Sequence, residues 1–245
     1  ISLNMERDQH YDTVLPFLKR EQPDVVCLQE VLDRDVERLK KELNADGVYA
    51  PIGVADRGRN TEALAKAGVC LGTALFSRLP LADCRTFYYY GTSENVPSAK
   101  DPVPFDRHEN FNGILISARL RSGGQTFAIG TTHFTWTPDG SVSEAQRQDM
   151  KKLLEILAKF PDIVFCGDFN APRGGEMWGL LSARYKDNIP REYQTSLDQN
   201  LHHVRGLVHV VDGLFSTPQY HCSDTKLVCG VSDHCAIVSN ICRAG

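Results

Sequence analysis

The 245-residue sequence lacks any apolar run close to the ~20 residues that a membrane-spanning helix requires, so we expect no membrane span. It also lacks a stretch rich in lysine and arginine, and its formal net charge is −4. This balance argues against a broad basic surface of the kind that grips duplex DNA through many phosphates. No linker, low-complexity run or break in composition divides the chain, so we expect one domain over residues 1–245.

The eight cysteines include no CxxC pair, which disfavours a structural zinc site. Cys27, Cys70 and Cys166 lie in apolar runs and are expected to be buried free thiols. A disulfide among Cys84, Cys222 and Cys229 is an open alternative, and it would indicate an oxidising compartment. Because the chain starts inside a strand-like segment without methionine, we expect a trimmed N-terminus. A cytoplasmic protein is slightly favoured, and a removed signal peptide is the alternative.

Hydrophobic periodicity predicts more strands than helices. Helices are expected over 8–20, where Pro16 should cause a kink or a late start, over 33–43, and from Ser143, which forms a capping box with Gln146. Strands are expected over 1–5, 24–29, 69–76, 111–120, 125–132, 162–167, 208–215 and 235–241. Hairpin-like pairs alternate with helix-separated pairs, which indicates an α/β fold of two packed mixed sheets with helices outside.

Two long segments, 51–67 and 88–110, are rich in Gly, Asn, Ser and Pro and have no clear period. Loops of this length are uncommon unless they are functional, so we expect them to select the substrate.

Three apolar runs deliver carboxylates at their ends: Cys27-Leu28-Gln29-Glu30, Gly167-Asp168-Phe169-Asn170, and Ser232-Asp233-His234 before an apolar run. Desolvating a carboxylate costs several kcal/mol unless it is paired or holds a metal, so stability alone does not explain the pattern. We expect the three segments to converge on one polar site.

Together with Asn4, Thr132-His133 and Asp212, these segments follow an order that resembles the endonuclease/exonuclease/phosphatase superfamily, the DNase I-like fold. Each motif alone is weak evidence, whereas the ordered set of six is specific and spans essentially the whole chain. The resemblance implies a four-layer α-β-β-α sandwich of two mixed sheets and a metal-dependent phosphoesterase.

Glu30 is the leading candidate ligand for Mg²⁺ or Mn²⁺, because hard cations prefer oxygen ligands. The resemblance places Asn4 and Asp233 at the same metal. The structural alternative for Glu30 is an acid that complements the dipole of the helix beginning at Asp33.

The resemblance implies that Asp168 positions the attacking water, that Asn170 donates to the scissile phosphate and that His133 contacts the phosphate. An Asp212–His234 pair would aim one ring nitrogen at the substrate. Gly213 follows Asp212 where the family usually has an aromatic residue, which predicts a more open floor.

Phosphodiester cleavage in nucleic acid is the favoured reaction, with Arg173 as a basic substrate contact. Tyr88, Tyr89, Tyr90 and Trp136 either stack on bases or pack in the protein, and packing is favoured. A small-molecule or lipid phosphoesterase is the alternative, which the negative charge favours. A non-catalytic binding domain is a third hypothesis, and the full set of acids and histidines argues against it. We expect a monomer.

Overall fold

The computed structural model describes residues 1–55, 62–98 and 108–244. Its strands in chain order are β1 (Ser2–Asn4), β2 (Val25–Leu32), β3 (Asp46–Val54), β4 (Cys70–Ser77), β5 (Leu81–Tyr90), β6 (Gly113–Ser122), β7 (Gln125–His133), β8 (Val164–Asp168), β9 (Lys186–Asp187), β10 (Asp212–Ser216), β11 (Tyr220–Val228) and β12 (Ala236–Arg243). Its helices are α1 (Tyr11–Glu21), α2 (Val36–Leu43), α3 (Glu62–Lys66), α4 (Glu144–Leu157) and α5 (Glu176–Ser182).

The strands form two six-stranded sheets, ordered β11-β12-β1-β2-β4-β3 and β5-β6-β7-β8-β10-β9. Each sheet contains one parallel pair, β1 with β2 and β7 with β8, among antiparallel neighbours. The sheets are therefore mixed, as the alternation of hairpins and helical crossovers predicts.

The apolar residues separate into two clusters that define the layers. On β2, Val26 and Leu28 pack with α1 and α2, whereas the intervening Cys27 packs in the cluster that contains the other sheet. This alternation is expected because successive side chains of a strand point to opposite faces. The cluster that contains Cys27 and the other sheet also contains the buried faces of α4 and α5. The predicted four-layer sandwich is confirmed.

Several local expectations differ from the structure. Pro16 lies inside α1, which begins at Tyr11 rather than Asp8. Residues 51–54 and 88–90, expected as loop, belong to β3 and β5. Both are edge strands, so the missing N–H of Pro51 and the exposed polar residues of β5 are tolerated there. Residues 56–61 and 99–107 of the expected substrate-selecting loops lie outside the described residues.

Gly167 precedes Asp168 in β8, and the close approach of the β7 backbone leaves no space for a side chain at this position. Its φ is 145°, and a Cβ there would lie 1.9 Å from the carbonyl oxygen of Thr132 on the parallel strand β7. Glycine alone fits this contact without moving one strand away from the other.

We therefore expect Gly167→Ala to destabilise the fold by about 3 kcal/mol, because the added carbon overlaps backbone that cannot rotate away. Urea unfolding monitored by circular dichroism measures the change. Gly179→Ala is the matched control: Gly179 lies inside α5 with no atom near a built Cβ. Alanine there should be neutral or stabilise by up to about 1 kcal/mol. Equal unfolding midpoints for the two variants would contradict the packing argument.

Candidate active site

The polar strand ends meet because of the two parallel pairs. Asn4 at the end of β1 pairs with Gln29 of β2, and His133 at the end of β7 pairs with Asp168 of β8. The carboxyl ends of both pairs lie at the same edge of the sandwich, where Asp212 enters as the antiparallel partner of Asp168. The structure thus brings together residues that are far apart in sequence.

Two side-chain hydrogen bonds join the sheets at this edge. In the first, the Asn4 amide nitrogen donates to Asp168 Oδ2 on the other sheet at 3.1 Å; the same nitrogen also donates to Glu30 Oε1 on its own sheet at 3.3 Å. Behind it, Gln29 Nε2 donates to Thr131 Oγ1 at 3.0 Å, and both residues are fully buried. Buried hydrogen bonds between the sheets specify how one sheet sits on the other.

Glu30 is presented by an irregularity in β2. The register of β2 with β4 shifts between Leu28 and Val31, and Glu30 has a φ of 59°. A bulge of this kind turns a side chain out of the strand's alternation. The Glu30 carboxylate consequently reaches the strand ends rather than a sheet face, and it lines the cleft beside Asn4.

Asp168 and Asn170 form a tight turn at the end of β8. Asp168 Oδ1 accepts the backbone N–H of Asn170 at 2.8 Å, and Asn170 adopts a left-handed φ of 48°. The Asn170 amide nitrogen donates to the Phe134 carbonyl at 2.9 Å. These bonds use Oδ1 of Asp168 and one amide hydrogen of Asn170. Asp168 Oδ2, which accepts from Asn4, can accept a further hydrogen bond, and the second amide hydrogen of Asn170 can be donated to the site.

His234 bridges two aspartates. Its Nδ1 lies 2.8 Å from Asp212 Oδ2, and its Nε2 lies 3.8 Å from Asp168 Oδ2. His133 Nε2 approaches the same Asp168 oxygen at 3.5 Å. Burial alone would lower the pKa of His234, but the charges of Asp212, Asp168 and Asp233 outweigh it and hold that pKa well above its ordinary value of 6.5. The ring is therefore an imidazolium at neutral pH.

Ser196 supports this pair and was missed by the sequence analysis. Its hydroxyl donates to Asp212 Oδ2 at 2.6 Å and accepts the backbone N–H groups of Val211 and Asp212. It is fully buried and fixes the carboxylate that orients His234. Ser196 belongs to no recognisable motif, and only its proximity in space reveals the role.

Asp233 is a buried carboxyl with little compensating charge. Burial is the largest influence on its pKa, followed by the opposing charge of His234 and the negative charges of Glu6 and Glu30; together they raise the pKa to about 7. The Asp233 side chain accepts a hydrogen bond from Ser232 Oγ at 3.1 Å. A carboxyl in these surroundings is suited to a cation.

A disulfide closes the segment that carries Asp233 and His234. Cys229 is bonded to Cys235, and Cys84 and Cys222 are free, so the alternative of a disulfide among Cys84, Cys222 and Cys229 is not the one the structure adopts. Cys27, Cys70 and Cys166 are free thiols, as predicted. Cys166 and Cys27 are buried, whereas Cys70 is half-buried. The backbone of the closed segment also pairs with residues 196–198, through Cys235 N to Ser196 O and Asp198 N to Asp233 O.

The site opens into a cleft of about 330 Å³, which is lined by Asn4, Glu30, His133, Asp168, Asn170, Asp233 and His234. Among its described lining residues, Arg7 is the only lysine or arginine, and Trp136 forms part of the wall. Tyr89, in contrast, is buried in the core, as the packing interpretation predicts. A larger cavity of about 630 Å³ lies at the opposite strand ends and contains none of the predicted site residues.

Two expectations for the surroundings fail. The Arg173 guanidinium does not line the cleft: it contacts Asp187 at 3.2 Å and donates to backbone carbonyls of residues 189 and 190. The floor at Gly213 is not open, because a Cβ there would lie 2.7–2.9 Å from the rings of Phe215 and Phe169. These rings fill the space in which a more open floor was expected.

A profile of the Endonuclease/Exonuclease/phosphatase family matches residues 1–234. The chain belongs to this family. The matched range includes every strand end described above.

Solved structures share this fold with the chain at low sequence identity. An endonuclease/exonuclease/phosphatase from Bacteroides vulgatus is 19% identical to this chain, with a TM-score of 0.71. The superposition covers 99% of this chain and 97% of the Bacteroides vulgatus chain. The mannosyl-6-phosphatase of Bacteroides thetaiotaomicron is 14% identical with a TM-score of 0.68, covering 98% of both chains.

A curated relative is the 3'-5'-exoribonuclease subunit Ccr4 of the CCR4-Not complex from Phaeosphaeria nodorum. It is 25% identical over 160 residues, which are 61% of this chain and 26% of the relative. The match thus spans about a quarter of that protein's length.

No helix in the described part of the chain is long and apolar enough to cross a membrane.

The charge of Asp212 is expected to control the protonation of His234. In metal-free protein, Asp212→Asn should lower the pKa of His234, because the nearest negative charge is lost. A pH titration of the imidazole NMR signals measures it, with Asp187→Asn as a distant control. Because the folded-state pKa of His234 lies above its ordinary value of 6.5, the contribution of the charged ring to stability is lost as pH rises through the folded-state pKa. An unchanged pKa in Asp212→Asn would contradict this account.

Loss of the Cys229–Cys235 bond should lower stability by about 2 kcal/mol, the value expected for a short crosslinked loop. Chemical unfolding of the Cys229→Ser/Cys235→Ser variant measures this. Cys84→Ser, at an exposed free thiol, is the control and should change stability by no more than about 0.5 kcal/mol. A double variant as stable as the parent would show that the backbone pairing alone holds the segment.

Proposed function

We propose that this protein is a divalent-metal-dependent phosphoesterase that hydrolyses a phosphodiester bond by attack of water, with nucleic acid as the substrate class. The observation that supports it best is that His133 and His234 converge on Asp168 Oδ2. His234 is also paired with Asp212. Membership of the family, and the exoribonuclease and phosphatase named among its relatives, agree with phosphate-ester hydrolysis.

The residues fit a hard cation at Glu30. Glu30 and Asp233 supply carboxylate oxygens to the cleft, and Asn4 orients Glu30 through its amide. Mg²⁺ or Mn²⁺ bound there would neutralise charge on the phosphate and lower the pKa of a bound water. Asp233 and Glu30 would ligate the ion, with Asn4 beside them.

The protein's own groups supply the remaining chemistry. Asp168 Oδ2 accepts hydrogen bonds at the centre of the site and is placed to orient the attacking water. The charged His234 directs Nε2–H towards the phosphoryl oxygens, where negative charge grows in the transition state. His133 and the second amide hydrogen of Asn170 contact the same group.

A small-molecule phosphate ester is a second candidate substrate. The compact cleft of about 330 Å³ and the scarcity of lysine and arginine among its described lining residues favour it. Nucleic-acid binding by many phosphate contacts would fall steeply with salt, whereas binding of one phosphate group would not.

Hydrolysis assays with Mg²⁺ on single-stranded RNA and DNA, a sugar phosphate, a nucleotide, a phosphoinositide and sphingomyelin, repeated over a range of salt concentrations, test the proposal. We expect His234→Ala to reduce kcat on the order of 100-fold, and Glu30→Gln to weaken both Mg²⁺ binding and turnover. Asp212→Asn should lose less if it only orients the ring.

His221→Ala is the matched control, because His221 is exposed on β11 and outside the cleft, and it should match the parent. Parent-like turnover in His234→Ala or Glu30→Gln would refute the proposed roles. Turnover of the sugar phosphate alone, without salt-dependent RNA or DNA binding, would replace the nucleic-acid substrate with the second candidate.

A further inference from the structure

The cleft carries a histidine pair that the reaction above does not use. His202 and His203 have ring centroids 4.6 Å apart, and both line the cleft. One nitrogen of each ring and one carboxylate oxygen of Asp233 lie within 4.8 Å of one another. His202 and Asp233 are buried, whereas His203 is exposed, so the group opens to solvent on one side.

The orientation of His202 leaves a ligand atom available. Its Nδ1 lies 3.1 Å from the carbonyl oxygen and 3.2 Å from the backbone nitrogen of Val204, so Val204 fixes the ring through this one nitrogen. Nε2 is the ring nitrogen left for a metal ion, and an ion bound there requires the tautomer whose proton lies on Nδ1 and is donated to the Val204 carbonyl. The ring also packs edge-on against His234, with centroids 6.1 Å apart.

The loop that presents the pair is held in place before any ion binds. Asp198 accepts the backbone N–H groups of Asn200 and Leu201 through Oδ1, and that of Gly230 through Oδ2. The amide of His202 donates to the Asp198 carbonyl at 2.9 Å. The loop is therefore tied to the segment that carries Asp233, which keeps the three ligand groups together.

Neighbouring charge favours a cation at this point. Glu6 and His10 form a second group with Asp233 in which the ligand atoms also lie within 4.8 Å of one another. Glu6 and the adjacent Arg7 both have left-handed φ values, 46° and 62°, which are uncommon outside glycine. Glu6 lines the cleft, where its carboxylate contacts His10 Nε2 at 2.9 Å and the Arg7 guanidinium at 3.8 Å, and it adds a further oxygen near Asp233.

We propose that His202, His203 and Asp233 form a second metal site, which shares Asp233 with the proposed site at Glu30 and takes a nitrogen-preferring divalent ion of the Zn²⁺ class. Imidazole ligands suit Zn²⁺, whereas Mg²⁺ prefers oxygen ligands, so the two sites differ in selectivity. An ion there would lie beside His234 and add positive charge to the mouth of the cleft.

Zinc binding tests this without any turnover, so failure of the proposed reaction leaves the test intact. ZnCl₂ is titrated calorimetrically into metal-free, disulfide-intact protein containing excess Mg²⁺, with exposed Cys84 and Cys242 replaced by serine to remove accessible thiol ligands. The parent should bind one Zn²⁺. His202→Ala/His203→Ala should weaken binding on the order of 100-fold, and His203→Ala alone, at an exposed position, should weaken it on the order of 10-fold.

Two controls assign the site. His209→Ala removes another cleft-lining histidine outside the group and should bind Zn²⁺ like the parent. Glu30→Gln should also retain zinc binding. Parent-like affinity in both the double variant and His203→Ala would overturn the proposal. So would loss of zinc binding in Glu30→Gln, because the ion would then occupy the first site.

Discussion

The hydrogen bond between the Asn4 amide and the Asp168 carboxylate connects the two halves of this molecule at its chemical centre. Asn4 ends a strand of one sheet, and Asp168 ends a strand of the other. Because the bond is buried, separating the sheets would leave both groups unsatisfied. The relative position of the sheets is therefore set by the same atoms that form the site, and packing errors between the sheets become errors in the site's geometry.

The second constraint is charge. Asp168, Asp212 and Asp233 are buried close together, a costly arrangement unless positive charge lies nearby. The described residues answer it mainly with histidine: His234 contacts two of the three aspartates, and His133 contacts one. Histidine compensates a carboxylate and can also exchange a proton, whereas lysine or arginine would neutralise the site permanently.

Most of the fold and the site's central residues were predictable because they follow period and order. Asp168 and His234 stand next to apolar runs in recognised motifs, and alternation along β2 places Cys27 and Leu28 on opposite faces. The role of Ser196 was not predictable, because it depends on a loop path that brings Ser196 to Asp212, 16 residues away. The Cys229–Cys235 bond was not predictable either, because the tight loop that brings these two nearby cysteines together has no clear pattern in the sequence. The edge strands β3 and β5 were missed for a related reason: exposed edges need no strict apolar pattern.

The conformation at Glu30 sets the stability of the backbone against the chemistry of the site. A left-handed φ is easiest for glycine or asparagine, and another residue there costs on the order of 1 kcal/mol. Replacing Glu30 with glycine or asparagine would therefore relieve the backbone and remove the carboxylate at the same time. At this position the chain thus presents an acid to the cleft at the expense of local backbone stability.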